Sequence, residues 1–386
     1  MKIIIASDSF KGSLSSIEVA QAATRGIKAV YPDCEVIAVN VADGGEGTVE
    51  AVVEALGGEI VTAKVSDPLG REIQARYGIA GNKAIIEMAA ASGLPLLCPE
   101  ERNPWLTSTH GTGELIMDAM RRGCRQFLIG IGGSATNDAG TGMLQAMGFR
   151  FYDSQNQEIE HCCGGTMHLI ARIDDSEVAE GVRQSQFTVA CDVDTPFCGK
   201  EGAAPVFAPQ KGADPDMVAR LDAGMAALAE VIENKYHINI VPVAGAGAAG
   251  GMGGGFRAFL NATLKRGIDM VLDAIDFDHT IAGADLIITG EGKIDFQTAK
   301  GKTAAGVLAR AKAQDIPVIA IGGCVERCES VEQMGFAGIY PITEEKLPLE
   351  IAMQAEVAAM NVEKTVRKRV EGVRCKGKDM RATPSH

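Results

Sequence analysis

Basic residues run short in this sequence: 37 Lys and Arg stand against 50 Asp and Glu, a formal charge of −13. A nucleic acid or an anionic membrane would be met by a basic face, so neither is an expected partner. The one basic concentration, KTVRKRVEGVRCKGKDMR near the C-terminus, reads as a solvated helix end running into a loose terminus. The ten cysteines include no C-x-x-C pair, and reduced thiols are the reading that fits. HCCGGTMH, His161 to His168, could supply zinc ligands, but its adjacent cysteines do not both reach one ion easily. No segment approaches the roughly 18 apolar residues of a membrane span, and the apolar start MKIIIAS is too short for a secretory signal. The expectation is a soluble, cytoplasmic protein. Aromatics are few at 5%, with 46% hydrophobic and 23% charged residues, an ordinary globular balance.

Glycine, by contrast, is abundant. There are 46 in 386 residues, about 12% against a usual level of roughly 7%, and they cluster at the ends of apolar runs, as backbone-lined loops do. The length suits two domains, or three. Short β-branched runs alternate with helical stretches. KIIIA (2–6) reads as a strand, and the segment after it as a helix opened by Ser15 with Glu18 three residues on, a capping box. EVIAVNVA and GTVEAVVEALGG repeat the strand and helix, and DLIIT, PVIAIGG and GIYPI are strands near the other end. The expected fold is α/β: a Rossmann-like, three-layer, parallel-sheet domain built from both chain ends, residues 1–65 and 284–386, interrupted by a second α/β domain, residues 66–283.

Open α/β sheets bind ligands at the carboxyl ends of their strands. After KIIIA, the loop SDSFKGSLSS sets Asp8, Ser9, Lys11 and Ser13 just before a helix N-terminus. There Lys11 either partners an anion or is solvated while Asp8 and Ser13 cap the chain. Asp43 and Glu46 of DGGEGT either hold Mg²⁺ or cap a helix. Asp192 and Asp194 follow the strand FTVA two residues apart and so share a face. Glu291, Lys293 and Asp295 of TGEGKID follow DLII.

Nucleotide motifs narrow the choice. GKT (301–303) fails as a Walker A loop, because the required first glycine is Phe296. The fingerprint G-x-G-x-x-[G/A] occurs at 130–135 and again at 245–250, and neither is followed by a prompt helix, so an NAD site is disfavoured. GIGGSATNDAG (130–140) reads as an amide-lined cradle for an anion, with Gly132 and Gly133 as backbone, Ser134, Thr136 and Asn137 as donors and Asp138 as an acceptor. A tight, well-capped turn over a core is the alternative. Glycine loops, a few lysines and several carboxylates together are the parts of a phosphoryl-transfer site.

These motifs also carry a resemblance. DSFKGSLSS, ADGGEGT, GIGGSATNDAG, CDV, PQKGA, GAGAAGGMG and TGEGKID occur in the order in which they appear in the bacterial glycerate kinases, and the sequence is similar to that family over about 350 residues. The resemblance implies an ATP- and Mg²⁺-dependent kinase that converts D-glycerate to 2-phosphoglycerate, with its active site in a cleft between two α/β domains. Two departures stand out. Asp194-Thr195-Pro196 follows CDV where the family commonly has Asn-Pro, and the tail beyond about Val362 is unlike the family's usual ending. The expected roles follow from motif position and residue chemistry. Asp192 is the favoured base for the hydroxyl proton, with Asp43 and Asp8 as runners-up, and Lys11 meets the transferring phosphoryl group. Asp8, Ser9, Ser134 and Asn137 bind substrate, and Arg71 of DPLGR either clamps its carboxylate or is solvated. Gly132 and Gly133, Gly247 and Gly250 of GAGAAGG, and Gly290, Glu291 and Gly292 lie on the nucleotide side, and Glu291 and Asp295 hold the metal. An NAD-dependent hydroxyacid dehydrogenase and a non-catalytic metabolite-binding protein are the competing readings, and the oligomeric state is not readable.

Overall fold

The structure, a computed structural model, describes residues 1–42, 44–45, 47–326, 328–343 and 347–371. Asp43 and Glu46 lie outside the described residues. In chain order the strands are β1 (Lys2–Ser7), β2 (Glu35–Ala38), β3 (Glu59–Ser66), β4 (Glu72–Ala80), β5 (Lys83–Glu87), β6 (Gln126–Gly130), β7 (Arg150–Tyr152), β8 (Arg172–Asp174), β9 (Gln186–Ala190), β10 (Thr263–Lys265), β11 (Leu286–Ile294), β12 (Val318–Val325) and β13 (Gly338–Pro341). The chain divides into two compact units, residues 1–43 with 271–386, and residues 44–270.

The first unit holds a five-stranded sheet in the order β13-β12-β11-β1-β2, parallel throughout. Read from β2, this is the doubly wound order 2-1-3-4-5, whose switch point falls between its first and third strands, here β1 and β11. Side-chain alternation gives each strand two faces. Ile3 and Ile5 of β1 and Leu286 and Ile288 of β11 pack, fully buried, against Val19, Ala23 and Ile27 of the helix Ser16–Val30 and Val362 and Val366 of the helix Ala355–Val370. The helix Thr303–Lys312 contacts β1, β11 and β12 as well, with Ala304, Val307 and Ala311 buried. The capping box forms as read: Ser15 Oγ accepts from the Glu18 N–H, and Glu18 accepts from the Ser15 N–H at 2.8 Å.

The second unit is built on a six-stranded mixed sheet, β10-β9-β6-β5-β4-β3. β5, β6, β9 and β10 are parallel, while β3, β4 and β5 are antiparallel. The antiparallel part moves the boundary from that expected of the sequence. Residues 44–65 belong to the second unit rather than to the first, because β3 pairs with β4 from Glu59↔Ile79 to Ser66↔Glu72. The helix Thr48–Ala55 packs on β4 and β5 so closely that a Cβ on Gly78 would lie 2.2 Å from Val53 Cγ2. At the other end the second unit stops at Met270, not at 283. Residues 271–283 go with the first unit: Arg310 of the helix Thr303–Lys312 bonds Asp273 at 2.6 Å and Asp278 at 2.7 Å.

Candidate active site

In the first unit a pocket of about 600 Å³ opens at the carboxyl ends of β1, β11, β12 and β13, the switch point where a doubly wound sheet takes its ligand. Its polar lining includes Asp8, Ser9, Lys11, Glu291, Lys293 and Lys302. Asp8 is held from two sides: the Ser9 N–H donates to Oδ1 at 2.6 Å, and the Thr303 hydroxyl to Oδ2 at 3.0 Å. Lys11 is exposed, and Lys302 is the N-cap residue of the helix Thr303–Lys312. Gly292 lies under the β1 loop, where a Cβ would sit 3.4 Å from the Lys11 backbone nitrogen. Gly290 is tighter, within 2.6 Å of the Ile321 carbonyl by the same measure. It is a sheet-packing glycine, and its backbone oxygen accepts the Asp8 N–H at 2.9 Å.

Glu291 and Asp295, paired as metal ligands by the sequence, are treated differently. Glu291 is 6% exposed, yet its Oε1 has no hydrogen-bond partner among the described residues. Burial pushes its carboxyl up to about 7; Thr298 and Lys302 pull the other way, and Asp8 and Asp295 add to the rise. Asp295 is spoken for. Its Oδ1 accepts the Gln297 N–H at 2.8 Å and its Oδ2 meets Lys293 Nζ at 3.1 Å. Burial raises it, but those two partners more than offset the rise and hold it below the ordinary carboxylate range. Lys293, shared between Asp295 and Glu326, is held above its usual value by both. Magnesium asks for only one or two carboxylates, with phosphate and water completing its shell. The orphaned Glu291 oxygen beside Asp8 fits that demand. Asp295 does not, because ligation would break its pair with Lys293.

The glycine loops of the second unit are closed, not open. Thr136, Asn137 and Asp138 are fully buried. Asp138 accepts from the Thr109 N–H and hydroxyl, both at 2.8 Å, and from the N–H groups of Gly140 and Gly142 at 3.1 and 3.2 Å. Burial still raises its pKa against those four bonds. Gly250, at φ +67°, sits where a Cβ would lie 2.2 Å from the Thr136 carbonyl, and its own carbonyl accepts the Ala139 N–H. A Cβ on Gly247 would meet the Pro196 carbonyl at 2.1 Å. GAGAAGG is packed onto SATNDAG at Gly250 and onto residues 195–196 at Gly247. Ser134 accepts from Lys211 Nζ at 2.7 Å, and Asn137 Nδ2 reaches Met225 Sδ at 3.3 Å. Only Gly132 and Gly133 are exposed in this loop, while Thr136 Oγ1 and Asn137 Oδ1 are buried with no hydrogen-bond partner among the described residues.

Lys211 went unassigned in the sequence although PQKGA was among the motifs that carry the resemblance. It is 1% exposed, donates also to the Thr136 carbonyl at 2.6 Å, and is lowered by burial to about 7, with Asp138 pulling it back up. Lys302 and Thr303 were missed for a related reason: GKT failed the test for a Walker A loop, yet its lysine and threonine begin a helix at the pocket. Asp192 is exposed at the end of β9, where its Oδ1 accepts the Gly267 N–H at 2.9 Å. Arg71 is not open as a clamp. Its Nε bonds the buried Asp67 at 2.6 Å and its Nη1 bonds Glu101 at 2.6 Å. Both carboxylates raise its pKa further, Glu101 first.

A doubly wound sheet with lysines, a helix start and an orphaned carboxylate at its switch point has the parts that phosphoryl transfer uses in an α/β protein. The chain belongs to the glycerate kinase family: the family model matches residues 3–373, and the protein is a kinase. It is 48% identical to a glycerate kinase of Bacillus subtilis over 370 residues, covering 95% of this chain and 96% of that one. It is 45% identical to glycerate 2-kinase of Escherichia coli K12 over 345 residues, 89% of this chain and 90% of that one. A crystal structure from Salmonella typhimurium LT2, assigned provisionally to glycerate kinase 2, superposes with a TM-score of 0.87 at 44% identity, covering 96% of this chain and 97% of that one. Among the described residues no helix is long and apolar enough to cross a membrane.

Proposed function

We propose that the protein transfers the terminal phosphoryl group of ATP to the 2-hydroxyl of D-glycerate in the cytoplasm, with Mg²⁺ as the counter-ion. The observation that carries this reading is the near-complete match to a glycerate 2-kinase in a chain whose switch-point pocket combines cations with an unsatisfied buried carboxylate. Bound magnesium would neutralise phosphate oxygens, and Glu291 with Asp8 would hold it. Lys11 and Lys302 would meet the phosphoryl oxygens, where a cation counts most in the transition state. Asp192, steadied by the Gly267 N–H, would take the hydroxyl proton. The dehydrogenase reading loses support because four of the six residues at 130–135 and five of the six at 245–250 are buried.

A coupled assay tests this. ATP, Mg²⁺ and D-glycerate should yield a product that enolase alone consumes, and excess EDTA should abolish turnover. A signal that needs phosphoglycerate mutase as well rejects the 2-hydroxyl. In the same assay Asp192→Asn should lower kcat by about 10² to 10⁴ with the glycerate KM little changed. A loss confined to KM would move Asp192 from base to binding group.

A further inference from the structure

The pocket of the first unit has a second half that phosphate chemistry leaves unexplained. It is also lined by Val325 of β12, Ile342 after β13, and Leu349 and Met353 at the short helix Leu349–Ala352. Leu349 is 73% exposed and Met353 39%, an apolar surface of the kind that marks a binding site when it gathers in one place. The wall adjoins the polar half directly: a Cβ on Gly12 would lie 3.0 Å from Met353 Cε, so the methionine rests on the turn that follows Lys11.

We propose that this pocket takes the nucleotide and that Ile342, Leu349 and Met353 receive its purine ring. The inference rests on the kinase reading above and deepens it. D-glycerate has no apolar surface to lay on such a wall, and a three-carbon acid would leave most of about 600 Å³ to water. A nucleotide has the required two-ended chemistry. Its phosphates go to Lys11, Lys302 and the N-terminus of the helix Thr303–Lys312, beside the orphaned Glu291 oxygen that a phosphate-bound cation would satisfy. Its base is flat and apolar-faced, and a flexible thioether such as that of Met353 suits a ring.

Titration of the full chain with ADP and Mg²⁺, without glycerate, tests the assignment. The uncharged Met353→Ala should weaken ADP about tenfold, leave inorganic tripolyphosphate binding unchanged, and keep the D-glycerate KM within about twofold. The parent protein supplies an independent readout, because Cys324 is exposed and lines the same pocket. ADP with Mg²⁺ should slow its alkylation relative to Cys98, which is exposed in the other unit, and D-glycerate alone should not. Unchanged ADP affinity in Met353→Ala, an equal loss of tripolyphosphate, or an unprotected Cys324 each overturns the proposal. ADP binding as described without phosphorylation of D-glycerate would instead reject the substrate and leave the nucleotide site standing.

Discussion

Asp138 in the second unit and Glu291 in the first are almost equally dry, at 0% and 6% exposure, and both are pushed toward the neutral form by burial. Their surroundings are opposite. Asp138 collects four donors from two loops, whereas Glu291 keeps an oxygen with no partner among the described residues. A buried carboxylate with its acceptor sites filled fastens structure; one left short is waiting for something that comes from outside. The same contrast separates the glycines. Gly247 and Gly250 let their loop approach residues 195–196 and 136–137 of the second unit, and Gly292 lines a pocket.

Removing the fastening carboxylate is the strongest way to break this comparison. Asp138→Ala leaves the N–H groups of Thr109, Gly140 and Gly142 buried without their acceptor, at about 1–3 kcal/mol for each donor. The second unit should lose at least about 3 kcal/mol, seen as a lower urea midpoint or loss of soluble protein. A variant within about 1 kcal/mol of the parent would mean that water or a neighbour replaces the carboxylate, and the distinction from Glu291 would fall.

Glu291→Gln should act the other way on stability. The folded pKa of about 7 lies above the ordinary 4.5, so the native state holds a proton that the unfolded chain gives up. That contribution is complete below pH 4.5 and is lost as pH rises through 7. The amide cannot ionise, so the variant should show a flatter stability profile across that window and melt a few degrees above the parent at pH 8. Its kcat should nevertheless fall, by about tenfold or more, with a higher Mg²⁺ requirement. A variant that is both less stable and fully active would place Glu291 with Asp138 as a structural group.

Much of the first unit was legible. The capping box, the βα alternation and the polar strand ends all follow from local pattern, which is why Asp8, Lys11 and Glu291 meet where the switch point demands. The hairpin β3–β4 escaped, although its exposed and buried residues alternate along EIVTAKVS. The βα grammar on either side of it favours parallel pairing, whereas β4 turns straight into β5 through a tight hairpin that sets Ala80 opposite Lys83. Inside the second unit, sequence chemistry could not tell a glycine that faces a ligand from one that faces another loop. That difference depends on where residues 245–250 land relative to 136–139, and no local spacing encodes it. Lys211 was hidden for the same reason, since a lysine in a loop is ordinarily solvated.

Arg71 gives the smallest effect and tests how far occupied partners disqualify a residue. Its guanidinium is about half exposed and divided between Asp67 and Glu101, and such pairs contribute roughly 0–1 kcal/mol. Asp67 would not be stranded by its loss, because Oδ1 still accepts the N–H groups of Leu69 and of residue 71 at 2.9 and 2.8 Å. Arg71→Met should therefore melt within a few degrees of the parent and leave the D-glycerate KM within about twofold. A carboxylate clamp behaves differently: losing a bidentate charged partner costs about 1.5–3 kcal/mol, which raises KM by tenfold or more with kcat largely kept. If that larger shift is measured, the arginine exchanges its two internal carboxylates for the substrate's, and the loop at 67–71 joins the active site as its sequence first suggested.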